Sequence, residues 1–212
     1  MNNSPQKIGI FGGTFNPVHI GHLIIAQEVM LAKKLDQIRF LPNANPPHKQ
    51  DLMLIDAKHR FEMIRLATES YGQFAVDDYE MQYDGYSYTI DTMSHFENAF
   101  KNTQLYFIIG ADSLLELFLW KDAQTLVDRF SFIIALRNGS ELNVSVFAQL
   151  PFEKRLQEKL ANSVVQTPMI DIASRNIRDR IKKSMPVRFM LPDNVIQYIE
   201  KHNLYGYKKK ED

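Results

Sequence analysis

Apolar positions along the chain follow two rhythms. Lys7–Phe11 (KIGIF) is a short β-rich run closed by Gly12–Gly13, which predicts a buried strand and a tight turn. Ile20–Lys34 carries apolar residues at helical spacing, and Asn16 with Pro17 is the expected N-cap and first-turn pair ahead of it. Gln37–Leu41 (QIRFL) reads as a second strand, stopped by Pro42. Strand, helix, strand with a helical crossover implies parallel pairing and a layered α/β fold.

The same reading continues downstream. A loop rich in Pro and Asn spans Pro42–Gln50, a helix covers about Ala57–Ser70, and Phe74–Val76 is extended. Tyr88–Phe100 has helical spacing, Leu105–Ile109 (LYFII) is a buried-strand candidate, and Leu114–Trp120 and Ala123–Arg129 read as short helices. Phe132–Ala135 is a further apolar strand, Arg137–Ser145 reads as a loop, and Pro151 splits whatever helix surrounds it. Val164–Thr167 is the last strand, and Ser174–Lys183 and Asp193–His202 are the last helices. Val195, Ile196 and Ile199 form an apolar stripe that marks packing rather than a site. Residues 138–160 carry no recognisable chemistry. No repeat or linker marks a second domain, so residues 1–212 are expected to form one domain with a C-terminal helical part at about 170–205.

Composition narrows the classes. The 212 residues include 25 basic and 25 acidic side chains, and this zero balance argues against a nucleic-acid partner, which needs a basic footprint. With no cysteine there is no disulfide framework and no thiolate metal site. No apolar run approaches the roughly 18 residues of a membrane span, and the first residues lack a signal core. A cytoplasmic protein without a membrane partner is expected; a homo-oligomer is left open.

The candidate chemistry starts in Gly12–Leu23, GGTFNPVHIGHL. Glycines between a strand and a helix sit where an α/β sheet binds ligands, and Gly12 and Gly13 lack the Cβ that would keep a phosphate away. The helix start near His19 or Ile20 aims N–H groups and a positive dipole end at the same place, and Thr14 adds a hydroxyl. His19 and His22 lie three apart on one helical face, with Gly21 between them. A zinc role for the pair lacks a third nearby ligand.

GGTFNPVHIGHL resembles the HxGH signature of the nucleotidyltransferase superfamily, and is very similar to the GGTFDPxHxGHL form of bacterial nicotinate-nucleotide adenylyltransferases. Asn16 stands here where many members have Asp. The resemblance extends to PPHK (Pro46–Lys49), SYTID (Ser87–Asp91), IGADS (Ile109–Ser113), LWKD around Trp120, and DIASRNIR (Asp171–Arg178), which is similar to the superfamily's ISSTxIR triphosphate motif. In that motif Ala173 and Arg175 replace two hydroxyl residues.

The resemblance implies a Rossmann-like, doubly wound parallel sheet with helices on both faces. It also implies transfer of AMP from ATP to nicotinate mononucleotide, with Mg²⁺ carried on the ATP phosphates and no dedicated metal site. His19, His22, Lys49, Ser174 and Arg178 are then the catalytic set. Gly12, Gly13, Thr14, Phe15, Ser87, Tyr88, Thr89, Gly110, Asp112, Trp120, Lys121, Arg137 and Arg175 are the substrate-binding set, with Trp120 stacking on the nicotinate ring. Two alternatives are weighed: the same fold acting on nicotinamide mononucleotide or phosphopantetheine, and a nucleotide sensor that has lost catalysis.

Overall fold

The computed structural model describes residues 5–44, 54–82, 85–137 and 144–208. In chain order the elements are β1 (Gln6–Gly13), α1 (Ile20–Lys33), β2 (Gln37–Pro42), α2 (Ala57–Thr68), β3 (Phe74–Val76), α3 (Thr89–Ala99), β4 (Thr103–Gly110), α4 (Ala111–Glu116), α5 (Ala123–Arg129) and β5 (Ser131–Arg137). They continue with α6 (Val144–Gln149), α7 (Lys154–Ala161), β6 (Val164–Thr167), α8 (Ser174–Lys182) and α9 (Asp193–Lys201).

Among the described residues the strands form a six-stranded sheet in the order β3-β2-β1-β4-β5-β6. That is the order of a doubly wound Rossmann sheet, with its direction of winding reversed between β1 and β4. The β1–β4, β4–β5 and β5–β6 pairings are parallel, with Ile10 opposite Phe107 and Ile108 opposite Ile133. Phe132 to Leu136 are all buried, the continuous apolar run of a strand covered on both faces.

The chain divides into two compact units. The first holds residues 1–12, 25–39 and 87–169 and contains β4, β5 and β6 with α3, α4, α5 and α7. The second holds residues 13–24, 40–86 and 170–212. The C-terminal helices are therefore part of a unit that also contains Gly13 with the segment after it, the start of α1, and α2.

Strand and helix order follow the sequence pattern, with four differences. Gly12 and Gly13 do not form the expected tight turn: β1 runs through Gly13, and the turn falls at Asn16–Pro17. Leu114–Trp120 is not one helix: α4 starts earlier, at Ala111, and a 3₁₀ turn over Leu117–Leu119 follows it. The loop expected to reach Ser145 gives way to α6 at Val144. Asn16 and Pro17 do not cap α1, which begins at Ile20; the Asn16–Pro17 peptide is cis.

Candidate active site

The second unit gathers one group of the expected residues. At Gly13 a Cβ would come within 2.9 Å of the Phe15 ring. Phe15 itself is 2% exposed at φ +47°, edge-on to His22 with ring centroids 5.0 Å apart and tilted against Phe40 at 5.7 Å. Its ring is core, so what it can offer a ligand is its main-chain amide. Gly12, in the first unit, is close-packed in the same way, because a Cβ there would lie 2.8 Å from Phe107. The expectation that these glycines leave space for a phosphate is corrected on their Cβ sides: aromatic rings fill that space.

His19 lies just ahead of α1 and is only 6% exposed. Its ring stacks on that of His22 with centroids 3.7 Å apart and an interplanar angle of 24°. The His19 main-chain N–H donates to His22 Nδ1 at 3.2 Å. A ring nitrogen that accepts an N–H bears no proton, so the neutral His22 ring holds its proton on Nε2, as a donor.

Gly21 has a steric reason between them. A Cβ there would meet His19 Nδ1 at 3.0 Å, His19 Cε1 at 3.1 Å and Ile170 at 3.4 Å. Gly21→Ala must therefore push the His19 ring by a few tenths of an ångström. Since small misplacements of reacting groups are costly in rate, kcat is expected to fall about tenfold or more with little change in melting temperature. Steady-state turnover beside a thermal melt checks this.

The turn after Phe15 is held from distant parts of the chain. Ser174 Oγ donates to the Pro17 carbonyl at 2.8 Å, Arg178 Nη1 donates to the Asn16 carbonyl at 2.9 Å, and Tyr205 Oη donates to Asn16 Oδ1 at 2.9 Å. Arg178 is 8% exposed and sits one turn after Ser174 on the buried face of α8 with Ile177 and Ile181. The DIASRNIR stretch thus meets the segment that leads into His19. Two expectations change in detail. The Ser174 hydroxyl proton points at Pro17, so that group has lone pairs rather than a proton to offer a ligand. The α1 N-terminus is partly occupied too: the Ile20 amide donates to the Met190 carbonyl at 3.0 Å and the His22 amide to the His19 carbonyl at 2.9 Å. Arg175 is exposed on the far side of α8 from Ile177.

Sequence reasoning missed Arg60 and Tyr205. Arg60 is on the buried stripe of α2 with Met63, Ile64 and Ala67, and an arginine on an apolar face was the available signal. Tyr205 had none. It is buried at φ +57°, in the 3₁₀ turn Leu204–Gly206. Burial raises the Tyr205 hydroxyl well above the ordinary tyrosine value. Between about pH 10 and the folded value, the unfolded chain has lost this proton while the native protein keeps it. Its contribution to stability is therefore full below about pH 10 and lost as pH rises beyond it, by up to about 1.4 kcal/mol per unit. Urea midpoints from about pH 9 to 11 should fall more steeply for the unaltered protein than for Tyr205→Phe.

In the first unit a second group assembles. Tyr88 is the N-cap residue of α3, whose first residue is Thr89, with Ser87 just before it. Lys121 pairs with Asp91 at 3.0 Å, and its ammonium lies 4.5 Å from the centre of the Tyr88 ring. The hydrogen bond to Asp91 raises the Lys121 pKa. SYTID and LWKD, read separately in the sequence, are joined by this cation. Trp120 is half-buried and meets Phe107 edge-on at 6.0 Å. Gly110 is the N-cap residue of α4, and Asp112 is an exposed residue of its first turn. Arg137 is exposed at the end of β5. Lys49, with His48, lies outside the described residues.

A family model described as cytidylyltransferase-like matches residues 10–180. A protein of Moorella thermoacetica, named a probable nicotinate-nucleotide adenylyltransferase, is 40% identical over 204 residues, which are 95% of this chain and 92% of that protein. One of Thermoanaerobacter sp. with the same name is 41% identical over 210 residues, covering 97% of this chain and 96% of its own length. This chain belongs to the nicotinate-nucleotide adenylyltransferase family. A Plasmodium falciparum nicotinic acid mononucleotide adenylyltransferase complexed with NaAD has the same fold, with a TM-score of 0.77 at 20% identity, covering 96% of this chain and 98% of the other. In this member of the adenylyltransferase family the matched residues 10–180 take in His19, His22, Ser174 and Arg178, whereas Tyr205 falls beyond them. Among the described residues no helix is long and apolar enough to cross a membrane.

Proposed function

We propose that this protein transfers the adenylyl group of ATP to nicotinate mononucleotide, giving nicotinate adenine dinucleotide and pyrophosphate, in the cytoplasm as a step of NAD biosynthesis. The observation that carries the reading is the arrangement in the second unit. A stacked His19–His22 pair follows a turn whose Asn16 and Pro17 carbonyls are held by Arg178 and Ser174. Family membership supports the reaction class.

In the proposed reaction an oxygen of the mononucleotide 5′-phosphate attacks the α-phosphorus of ATP, and the bond to the β-phosphate oxygen breaks as pyrophosphate leaves in line. Magnesium would enter with the nucleotide as MgATP, where it would offset phosphate charge without a dedicated protein site. Catalysis of such a transfer rests on positioning and on donors aimed at developing charge. His22, as an Nε2 donor, and His19 stabilise the α-phosphate in the transition state. Arg178 and Lys49 bind the departing pyrophosphate, and Thr14 with the Phe15 amide steadies the incoming phosphate. The first unit, taken by itself, offers Trp120 for stacking on a pyridine ring and the start of α3, where main-chain amides suit a carboxylate such as that of nicotinate.

The nearest alternative, transfer to nicotinamide mononucleotide, differs at one carboxylate. Side-by-side turnover with the two mononucleotides decides: kcat/KM should favour the acid by at least about tenfold, the scale of one charged hydrogen bond. Equal or reversed preference would reassign the substrate.

A further inference from the structure

Arg60 is fully buried, at 0% exposure, yet every one of its acceptors among the described residues is a main-chain carbonyl. Nε donates to Ile55 at 3.1 Å, Nη1 to Thr14 at 2.9 Å and to Asn43 at 2.7 Å, and Nη2 to Ala44 at 3.0 Å. Among the described residues no carboxylate forms an ion pair with it; Asp56 and Tyr205 act on it only through space. One planar guanidinium thus ties three separate stretches: the turn after β1, the end of β2, and the residue before the cap of α2. Asn43 is tied to the turn a second time, through its N–H to the Gly13 carbonyl at 3.0 Å.

A purely structural filler here would be better served by an apolar side chain, because burying a charge costs several kcal/mol that carbonyl dipoles only offset. Four carbonyls take four of the five guanidinium N–H groups but leave the charge itself in place. That charge lies directly under Thr14, in the unit that contains His19, His22 and Arg178, where a polyanion would be held. Its planar fork also sets the geometry of the Thr14 main chain more rigidly than a point charge could.

Building on the adenylyl-transfer reading above, we propose that Arg60 is a positioning residue of that reaction, a clasp that fixes the Gly13–Thr14 turn against the end of β2 and places a buried positive charge behind the bound phosphates. It touches no substrate and acts through the turn. Its loss therefore misplaces reacting groups rather than removing a substrate contact, and the effect falls on kcat.

The test compares Arg60→Met, which keeps the length but removes charge and donors, with Arg60→Lys, which restores the charge and up to three donors. Arg60→Met is expected to lower kcat about 10²-fold with KM for nicotinate mononucleotide within about threefold of normal, and Arg60→Lys to recover at least about tenfold of the loss. Hydrogen exchange at the Asn43 amide should quicken in both variants while amides of α3 keep their rates. A folded Arg60→Met with normal kcat, or Arg60→Lys no better than Arg60→Met, would overturn the proposal. If Arg60→Met does not fold, Arg60→Lys decides alone: normal kcat with normal Asn43 exchange overturns the clasp, and reduced kcat with faster exchange upholds it. Absence of turnover in the unaltered protein would sink the adenylyl-transfer reading instead, and faster Asn43 exchange in Arg60→Lys would then still uphold the tie itself.

Discussion

His19→Ala is expected to fold and to lose at least about 10²-fold in kcat, the usual cost of one transition-state donor. The effect should exceed that scale because the substitution also disturbs its partner. The His19 ring is one wall of the stack against His22, whose edge contact with Phe15 remains when that wall is removed. His19→Ala keeps the main-chain His19 N–H that holds His22 Nδ1 and so fixes the His22 proton on Nε2. The melting temperature should therefore stay within a few degrees, the shift expected from about 1 kcal/mol or less. Steady-state kinetics beside a thermal melt separates the two quantities. Unchanged turnover would remove His19 from the reacting centre.

Arg178→Ala carries the second large effect, and it falls on stability as well as rate. The guanidinium is buried and donates to the Asn16 carbonyl, whose own side chain receives the Tyr205 hydroxyl. Deleting it leaves that buried carbonyl without this charged donor, at a cost of about 1.5–3 kcal/mol. Turnover should fall about 10²-fold or more, because the same group is proposed to bind the leaving pyrophosphate. Arg178→Lys separates the contributions: an ammonium can keep the single bond to Asn16, but it cannot present a planar pair of donors to a phosphate. Stability should largely return in Arg178→Lys while turnover does not. Urea denaturation and initial rates measure the two, and full activity in Arg178→Lys would contradict the assigned role.

Much of the fold was legible because it rests on local signals. Buried strands such as LYFII and the run from Phe132 announce themselves by continuous apolar residues, and Val164–Thr167 and Ala123–Arg129 have the bounds their patterns imply. The site was legible at motif level for a different reason: residue types and spacings reveal chemistry that periodicity does not. What the sequence hid are the long-range partners. Asn16 followed by Pro reads as a helix cap by every local rule, but its side chain accepts from Tyr205, 189 residues downstream, and that bond decides its role. Likewise Gly12 and Gly13 read as bare backbone for a ligand until Phe107 and Phe15 are seen against them. The Ser174 hydroxyl finds its acceptor at Pro17, 157 residues away in sequence and out of reach of any local rule. Arg60 stands between these cases, visible as a charge on an apolar stripe but without meaning until its four carbonyls are known.

The most direct test follows pyrophosphate released from MgATP by the purified protein, with and without nicotinate mononucleotide. The account predicts release only when the mononucleotide is present, one pyrophosphate for each nicotinate adenine dinucleotide formed. Release that ignores the mononucleotide, or no release at all from folded protein that binds ATP, would contradict it.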